Sequence, residues 1–483
     1  MSPGPCGGSA VRPQWLAMGA TDRAADRGGQ GAATADAVLD RRTVGGYALG
    51  SVATGTFGTV PGLVLLFFLT DTLAVPAALA GVAVFVPKFF DVFWNPVVGG
   101  WSDRTASRWG PRRPWMLAGG VSLPVLFVLV FAVPDPFSSS PTASAVWVCV
   151  AFLLAGAAYG LFQVPYISLP AELTAFPTER TRLQTARIVV LSLGILVGGA
   201  VAPELVAAFG SGVGGYVGMA VVVAAVLGIG MLGCVLLVPT TAPGGPRRDV
   251  GGEAVGIVAA ATSLTRALRV GLASPSFRPL YLGYLAQSAA VAVALAAIPY
   301  YARYVLERQG FTSVLFAAFV GPAVFVVPAW RRLARRRGNR FGLLAASWLF
   351  AASALLAGTG LGGVAVAVIA FLGCGVAYGA LQLFCYSMLT DALAAEDART
   401  GRRRAGLLSG LWTASETGMF AVGPFAVGVV LAASGFVSSS GEGVRQPASA
   451  LVGVALAMGV LPALLVALST VAFRRYDSRE STS

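Results

Sequence analysis

The sequence predicts an all-α membrane protein of twelve transmembrane helices, arranged as two pseudo-symmetric six-helix bundles. Three observations predict it. Hydrophobic residues make up 56% of the 483-residue chain, charged residues only 11%, and mean hydropathy is +0.76; soluble domains carry nearer a quarter charged residues. The apolar segments are about 20 residues long, the length that crosses a hydrocarbon core about 30 Å thick. They also fall into two sets of six, separated by a polar gap.

Taken in order, the chain opens with residues 1–43, rich in Gly, Ala, Asp and Arg without apolar periodicity, read as a disordered cytoplasmic tail without a signal-peptide core. The first bundle, within 44–238, has helices near 45–70, 77–101, 114–134, 145–168, 184–208 and 216–238. The segment 239–278 begins P-T-T-A-P-G-G-P-R-R and continues into an amphipathic stretch at 260–272, a cytoplasmic linker lying along the membrane surface. The second bundle, within 279–473, has helices near 279–302, 311–330, 341–360, 363–389, 405–433 and 449–473, followed by a tail at 474–483. No charge interrupts 341–390, and G-T-G-L-G-G at 358–363 supplies the turn between its two helices.

Charge sets the expected orientation. Of 34 Lys and Arg residues, only Arg303, Arg308 and Arg445 fall in one set of loops and Lys88 lies inside helix 2; the rest occupy the opposite loops and the tails. Basic loops stay on the cytoplasmic side during insertion, so both termini are expected to be cytoplasmic. The net charge of +13 is therefore read as a topology signal rather than a nucleic-acid surface. Arginine-dominated, Ala- and Gly-rich composition is read as that of a GC-rich bacterial genome, and the location as a bacterial cytoplasmic membrane. The absence of histidine excludes His-ligated zinc and Ser-His-Asp triads, and the five cysteines (Cys6, Cys149, Cys234, Cys374, Cys385) form no C-x-x-C pair. No nucleophile, base or metal-ligand cluster falls on the membrane helices, so neither an enzyme nor a cofactor is expected.

The halves repeat one another. Arg-rich loops that start at Trp101 and Trp330 follow the second helix of each half, as in transporters whose two bundles rock about a midplane site. Ionisable groups inside a membrane are costly and face cavities, pair, or act. Lys88, Asp91 and Asn95 are spaced i, i+3, i+7, on one helix face, either as a substrate- or ion-facing set or as a static ion pair. Arg187 either snorkels to the interface or serves the site, and Glu416, mid-helix and too deep to snorkel, either acts in the cavity or makes a buried pair. Tyr159, Gln163 and Tyr166 form a polar and aromatic stripe on helix 4 that either lines a path or packs between helices. Asp71 is read as a boundary residue.

The run D-V-F-W-N-P-V-V-G-G-W-S-D-R-T-A-S-R-W-G-P-R-R-P-W at 91–115 resembles the signature of the glycoside–pentoside–hexuronide:cation symporters of the major facilitator superfamily. Q-V-P-Y-I-S-L-P-A-E-L (163–173), E-R-T-R-L-Q-T-A-R (179–187) and D-A-L-A-A-E-D-A-R-T-G-R-R-R-A-G (391–406) resemble further family segments, in the expected order. The resemblance implies a major facilitator fold and a cation-coupled carrier of glycosides or related polar solutes. It makes Asp91 the first of two acidic cation positions, the second being Asn95. It makes Arg187 a sugar-binding arginine and Lys88 the usual basic residue beside them. Gln163 stands at the family's helix 4 acid, Gly55 at its helix 1 acid, and Thr417 at its helix 11 lysine, next to Glu416. With two carboxylates lost, coupling to a proton through Asp91 or Glu416 is favoured over sodium. Lys88, Tyr159, Gln163, Arg187, Trp412 and Thr417 are the expected substrate residues. Asp103, Arg104, Arg108 and Arg112 are the expected gating residues of the loop after helix 2. The partners implied are a small-molecule substrate, a coupling proton and the lipid bilayer, with the chain acting as a monomer. The competing expectation is a proton-driven exporter of hydrophobic compounds, favoured by the weakly polar helix 1.

Overall fold

The computed structural model describes residues 39–174, 176–210, 212–239, 256–401, 404–439 and 444–476. Among these lie twelve helices long and apolar enough to span a bilayer. They are α1 (Arg41–Asp71), α2 (Ala77–Arg104), α3 (Arg113–Phe131), α4 (Pro141–Leu173), α5 (Pro177–Ala208) and α6 (Gly212–Leu237). The second set is α7 (Phe277–Val305), α8 (Thr312–Arg337), α9 (Asn339–Gly358), α10 (Gly363–Thr400), α11 (Ala405–Ala433) and α12 (Ala448–Arg474). No strand occurs among the described residues.

Packing repeats the same pattern twice. In the first set α1 packs on α5 and α6, α4 on α2 and α3, and α3 on α6. The second set reproduces each pair with helices six places later: α7 on α11 and α12, α10 on α8 and α9, and α9 on α12. The two bundles meet through α2 against α11, its symmetry counterpart α5 against α8, and α1 against α7. Between them a linker helix, Ile257–Ala273, touches α2, α7 and α11.

Several helices run past their expected ends. Helix α1 starts at Arg41, inside the segment assigned to the tail, α4 continues to Leu173, and α5 begins at Pro177 rather than near 184. The stretch from Asp391, expected as a loop, is helical to Thr400. Its cause is local: Glu396, 1% exposed, holds Arg399 by a two-pronged ion pair, accepts from Arg404 at 3.0 Å, and is bonded by Ser274 at the end of the linker helix at 2.8 Å. A buried carboxylate persists only when so neutralised. The expected tail through residue 38, the linker centre at 240–255, residues 402–403 and the last seven residues lie outside the described residues.

The bundles are locked together on the side opposite the Arg-rich loops. Thr70 and Tyr300 share a hydroxyl–hydroxyl bond at 2.6 Å, and Ser439 N–H donates to the Thr70 carbonyl at 3.1 Å. Asp71 is not a mere boundary residue: its carboxylate pairs with Arg303 and accepts from the Tyr304 hydroxyl across the interface. Arg303 and Tyr304 belong to a π-helical turn, Tyr301–Val305, that ends α7. Such turns insert an extra residue and re-aim side chains, often at functional positions.

Candidate functional site

The residues singled out in the first bundle converge on α2, α4 and α5. Asp91 is 5% exposed, with Oδ2 3.6 Å from Lys88 Nζ. Its Oδ1 lies against Gly156 of α4 and has no hydrogen-bond partner. One turn on, Asn95 Oδ1 lies against Gly160, where Trp94 also donates its indole N–H to the Ala157 carbonyl at 3.0 Å. The glycines at 156 and 160 let α4 approach the polar face of α2, so this face points into the first bundle and away from lipid.

Aromatic rings complete the enclosure. Lys88 Nζ sits 5.3 Å from the centroid of Phe57 on α1 and 5.6 Å from that of Phe152 on α4, distances at which a ring face stabilises a cation. Phe57 stacks on Tyr159 at 4.6 Å, and Tyr159 lies within electrostatic reach of both Arg187 and Asp91. Arg187 does not snorkel outward. Its guanidinium lies 5.8 Å from the Tyr166 ring, its Nη1 donates to Gln184 at 3.4 Å, and its Nε is buried without a partner. Gln163, one turn beyond Tyr159, likewise has an unpartnered buried Oε1. Tyr166 itself packs: its hydroxyl meets Ser51 at 2.5 Å and donates to the Tyr47 carbonyl at 2.7 Å. Lys88, Asp91, Asn95, Tyr159, Gln163 and Arg187 thus form one cluster, holding three charged side chains and three unpartnered buried polar atoms. Such atoms are rare in folded proteins and mark places where water, ions or ligands bind.

The residues expected on α11 sit in the second bundle, apart from that cluster. Trp412 is 1% exposed and stacks on Tyr284 of α7 at 3.8 Å. Glu416 accepts from the Tyr386 hydroxyl of α10 at 2.8 Å. Thr417 donates its hydroxyl to the Thr413 carbonyl of its own helix at 3.2 Å, which leaves only its lone pairs for a ligand. The neighbouring Gly418 approaches Val92 of α2, and so links the two clusters through the α2–α11 crossing. Sequence reasoning missed Tyr284, Tyr378, Gln382 and Tyr386, which are neutral and therefore carry no insertion cost large enough to stand out.

The expected gating residues lie at the basic end of α2. Arg112 bonds Asp103 at 3.3 Å and Glu172, at the end of α4, at 2.5 Å, tying α2 to α4 through the start of α3. Arg104 is the last residue of α2, and Arg108 covers the ring of Trp109 at 5.4 Å. These contacts stay within the first bundle.

A twelve-helix, twofold-repeated bundle enclosing buried charges defines a secondary transporter of the major facilitator type. The family model described as MFS/sugar transport protein matches residues 46–479, and the chain belongs to that family. Relatives agree in kind. YagG of Escherichia coli (strain K12), provisionally named a glycoside/cation symporter, is 26% identical over 433 residues, covering 87% of this chain and 88% of that protein. The glucuronide carrier protein homolog of the same organism is 36% identical over 155 residues, covering 32% and 34%. The isoprimeverose transporter of Lactiplantibacillus pentosus is 32% identical over 166 residues, 34% of each chain. The nucleoside transporter NupG, as a D323A mutant, shares the fold at TM-score 0.63 and 13% identity, covering 89% of this chain and 99% of that one.

Proposed function

We propose that the chain is a proton-coupled symporter of glycosides or related polar solutes, working by alternating access. The observation that carries the reading is the orphaned Oδ1 of Asp91, deep in the first bundle and beside a fixed cation. A sodium site gathers several oxygens to replace hydration and to neutralise the ion. Here the Lys88 ammonium, 3.6 Å away, already supplies the positive charge such an ion would bring. A proton needs only the free oxygen. Its addition removes the negative charge, loosens the hold on Lys88 and releases that ammonium toward a substrate oxygen. Arg187, with its unpartnered Nε, and Gln163, with its unpartnered Oε1, offer a donor and an acceptor nearby. The symporter and glycoside-carrier names of the relatives support the same substrate class.

In this reading the expected bundles at 44–238 and 279–473, with the linker 239–278 between them and tails at 1–43 and 474–483, shift slightly at their edges, the first beginning at Arg41, the second at Phe277 and ending at Arg474. The Arg-rich side faces the cytoplasm of a bacterial cell with both termini, and the chain works as a monomer. The interlocked side is then the outer one, and Asp103 and Arg112 brace the inner end of α2.

Purified protein in proteoliposomes, given an imposed pH gradient and a panel of radiolabelled glycosides and uronides, tests it. The wild type accumulates a substrate above equilibrium, whereas Asp91→Asn only equilibrates it. Coupled accumulation by Asp91→Asn equal to wild type would remove Asp91 from coupling. Proton-driven loss of a hydrophobic compound, without glycoside uptake, would replace the symporter by an exporter.

A further inference from the structure

The second bundle holds a small pocket with polar side chains among its lining, whose role neither its position nor the first-bundle cluster explains. Tyr284 and Gln287 of α7, Tyr378 and Gln382 of α10, and Glu416 and Phe420 of α11 line it. Glu416 is its one carboxylate, and no ion pair among the described residues involves it. Tyr284 is 2% exposed; its hydroxyl lies beside Glu416 and Tyr386 yet completes a hydrogen bond with neither. Behind it, the buried Trp412 indole N–H is also unpartnered, its ring stacked on Tyr284.

Chemistry narrows what such a pocket holds. A carboxylate accepts two hydroxyl protons, a phenol and a carboxamide both donate and accept, and an indole N–H only donates. A bare cation would use the carboxylate and the phenol and carboxamide oxygens but none of the donors. A hydroxylated ring uses both kinds, and its C–H face lies flat on aromatic rings. Tyr386 adds a further clue. It is 42% exposed, and its hydroxyl occupies Glu416 at 2.8 Å, as a substrate hydroxyl would.

We propose that Glu416, Tyr284 and Gln382 form a second-bundle subsite that binds adjacent hydroxyls of a sugar ring, and that Tyr386 holds it shut until the ring displaces its hydroxyl. This rests on the glycoside reading above. It shifts Glu416 from coupling to recognition, and it supplies hydroxyl-accepting charge that Gly55 and Gln163 no longer provide in the first bundle. The α2–α11 crossing beside it, where Gly418 meets Val92, places this subsite against the turn that carries Asp91. One substrate then touches both bundles, as coupling between binding and rocking requires.

The test is equilibrium binding to the full chain in detergent, with 4-nitrophenyl glycosides and glucuronides as probes and tetramethylammonium as a competing cation. Thermal melting of each variant accompanies the titrations. Glu416→Gln, which keeps shape and removes charge, weakens glycoside binding about tenfold or more, the usual loss for a charged hydrogen bond. Tyr386→Phe, which removes the competing hydroxyl, tightens it several-fold. Wild-type binding of glycosides with Glu416→Gln unchanged would overturn the subsite and leave the glycoside reading intact. Wild-type binding of tetramethylammonium but of no glycoside would overturn both.

Discussion

At position 55 the backbone of α1 runs so close to α5 that a Cβ would lie 2.6 Å from the Leu191 carbonyl oxygen and 2.9 Å from the Ile195 nitrogen. Neither atom can retreat without bending α5. The position that the resemblance matches to the family's helix 1 acid is therefore closed by packing, and Gly55→Asp cannot place a hydroxyl-gripping carboxylate here. Even Gly55→Ala overfills the contact. It is expected to destabilise the chain by about 1–3 kcal/mol, read as a lowered Tm in detergent, whereas Gly58→Ala on the same helix, with open space around it, leaves Tm unchanged. Equal melting of the two variants would mean that α1 and α5 are not in native contact at this level.

At the scale of elements, the π-turn that ends α7 earns its place by direction. It carries Arg303 and Tyr304 to the single carboxylate of Asp71, 2% exposed, on a helix more than 230 residues earlier. A carboxylate so buried and so paired contributes only while the two helix ends meet, so it stabilises the closed form of this side. Asp71→Asn and Arg303→Gln each favour opening. A cysteine placed at Thr70, buried in this interface, is then modified by an impermeant maleimide about tenfold faster, matching a charged hydrogen bond of about 1.5 kcal/mol. The exchange Asp71→Arg with Arg303→Asp brings the rate back toward that of the parent. Rates that do not respond to either single change would show that the pair does not hold the side closed. This latch was illegible in the sequence, since Asp71 and Arg303 each sit at a helix end where an isolated charge is unremarkable and only the fold joins them. Lys88, Asp91 and Arg187 were legible, because a charge inside an apolar run is costly wherever it points. Tyr284 and Tyr386 were not, because an aromatic residue in a membrane helix fits packing as well as binding. The direction of Asp91 also needed coordinates: helical spacing puts Lys88, Asp91 and Asn95 on one face, but the glycines of α4 decide what that face meets.

For the whole molecule, the glycine contacts fall into two kinds with opposite consequences. Gly55 lies inside a bundle, where crowding lowers stability. Gly428 on α11 lies between bundles, where a Cβ would come 2.5 Å from the Ala77 carbonyl oxygen and 3.1 Å from the Gly81 Cα of α2. Each bundle packs through its repeated helix pairs, and in transporters of this type the bundles rock as bodies. A wedge between them therefore selects the state in which they part on that side, at little cost to folding. Gly428→Leu is expected to melt near the wild-type Tm, to expose a cysteine at Thr70 to maleimide as the latch variants do, and to abolish net uptake, since the transporter can no longer close on the interlocked side. A large fall in Tm without a rise in labelling would place the α2–α11 contact in the folded core of one rigid body, and the two bundles would then not move as separate units.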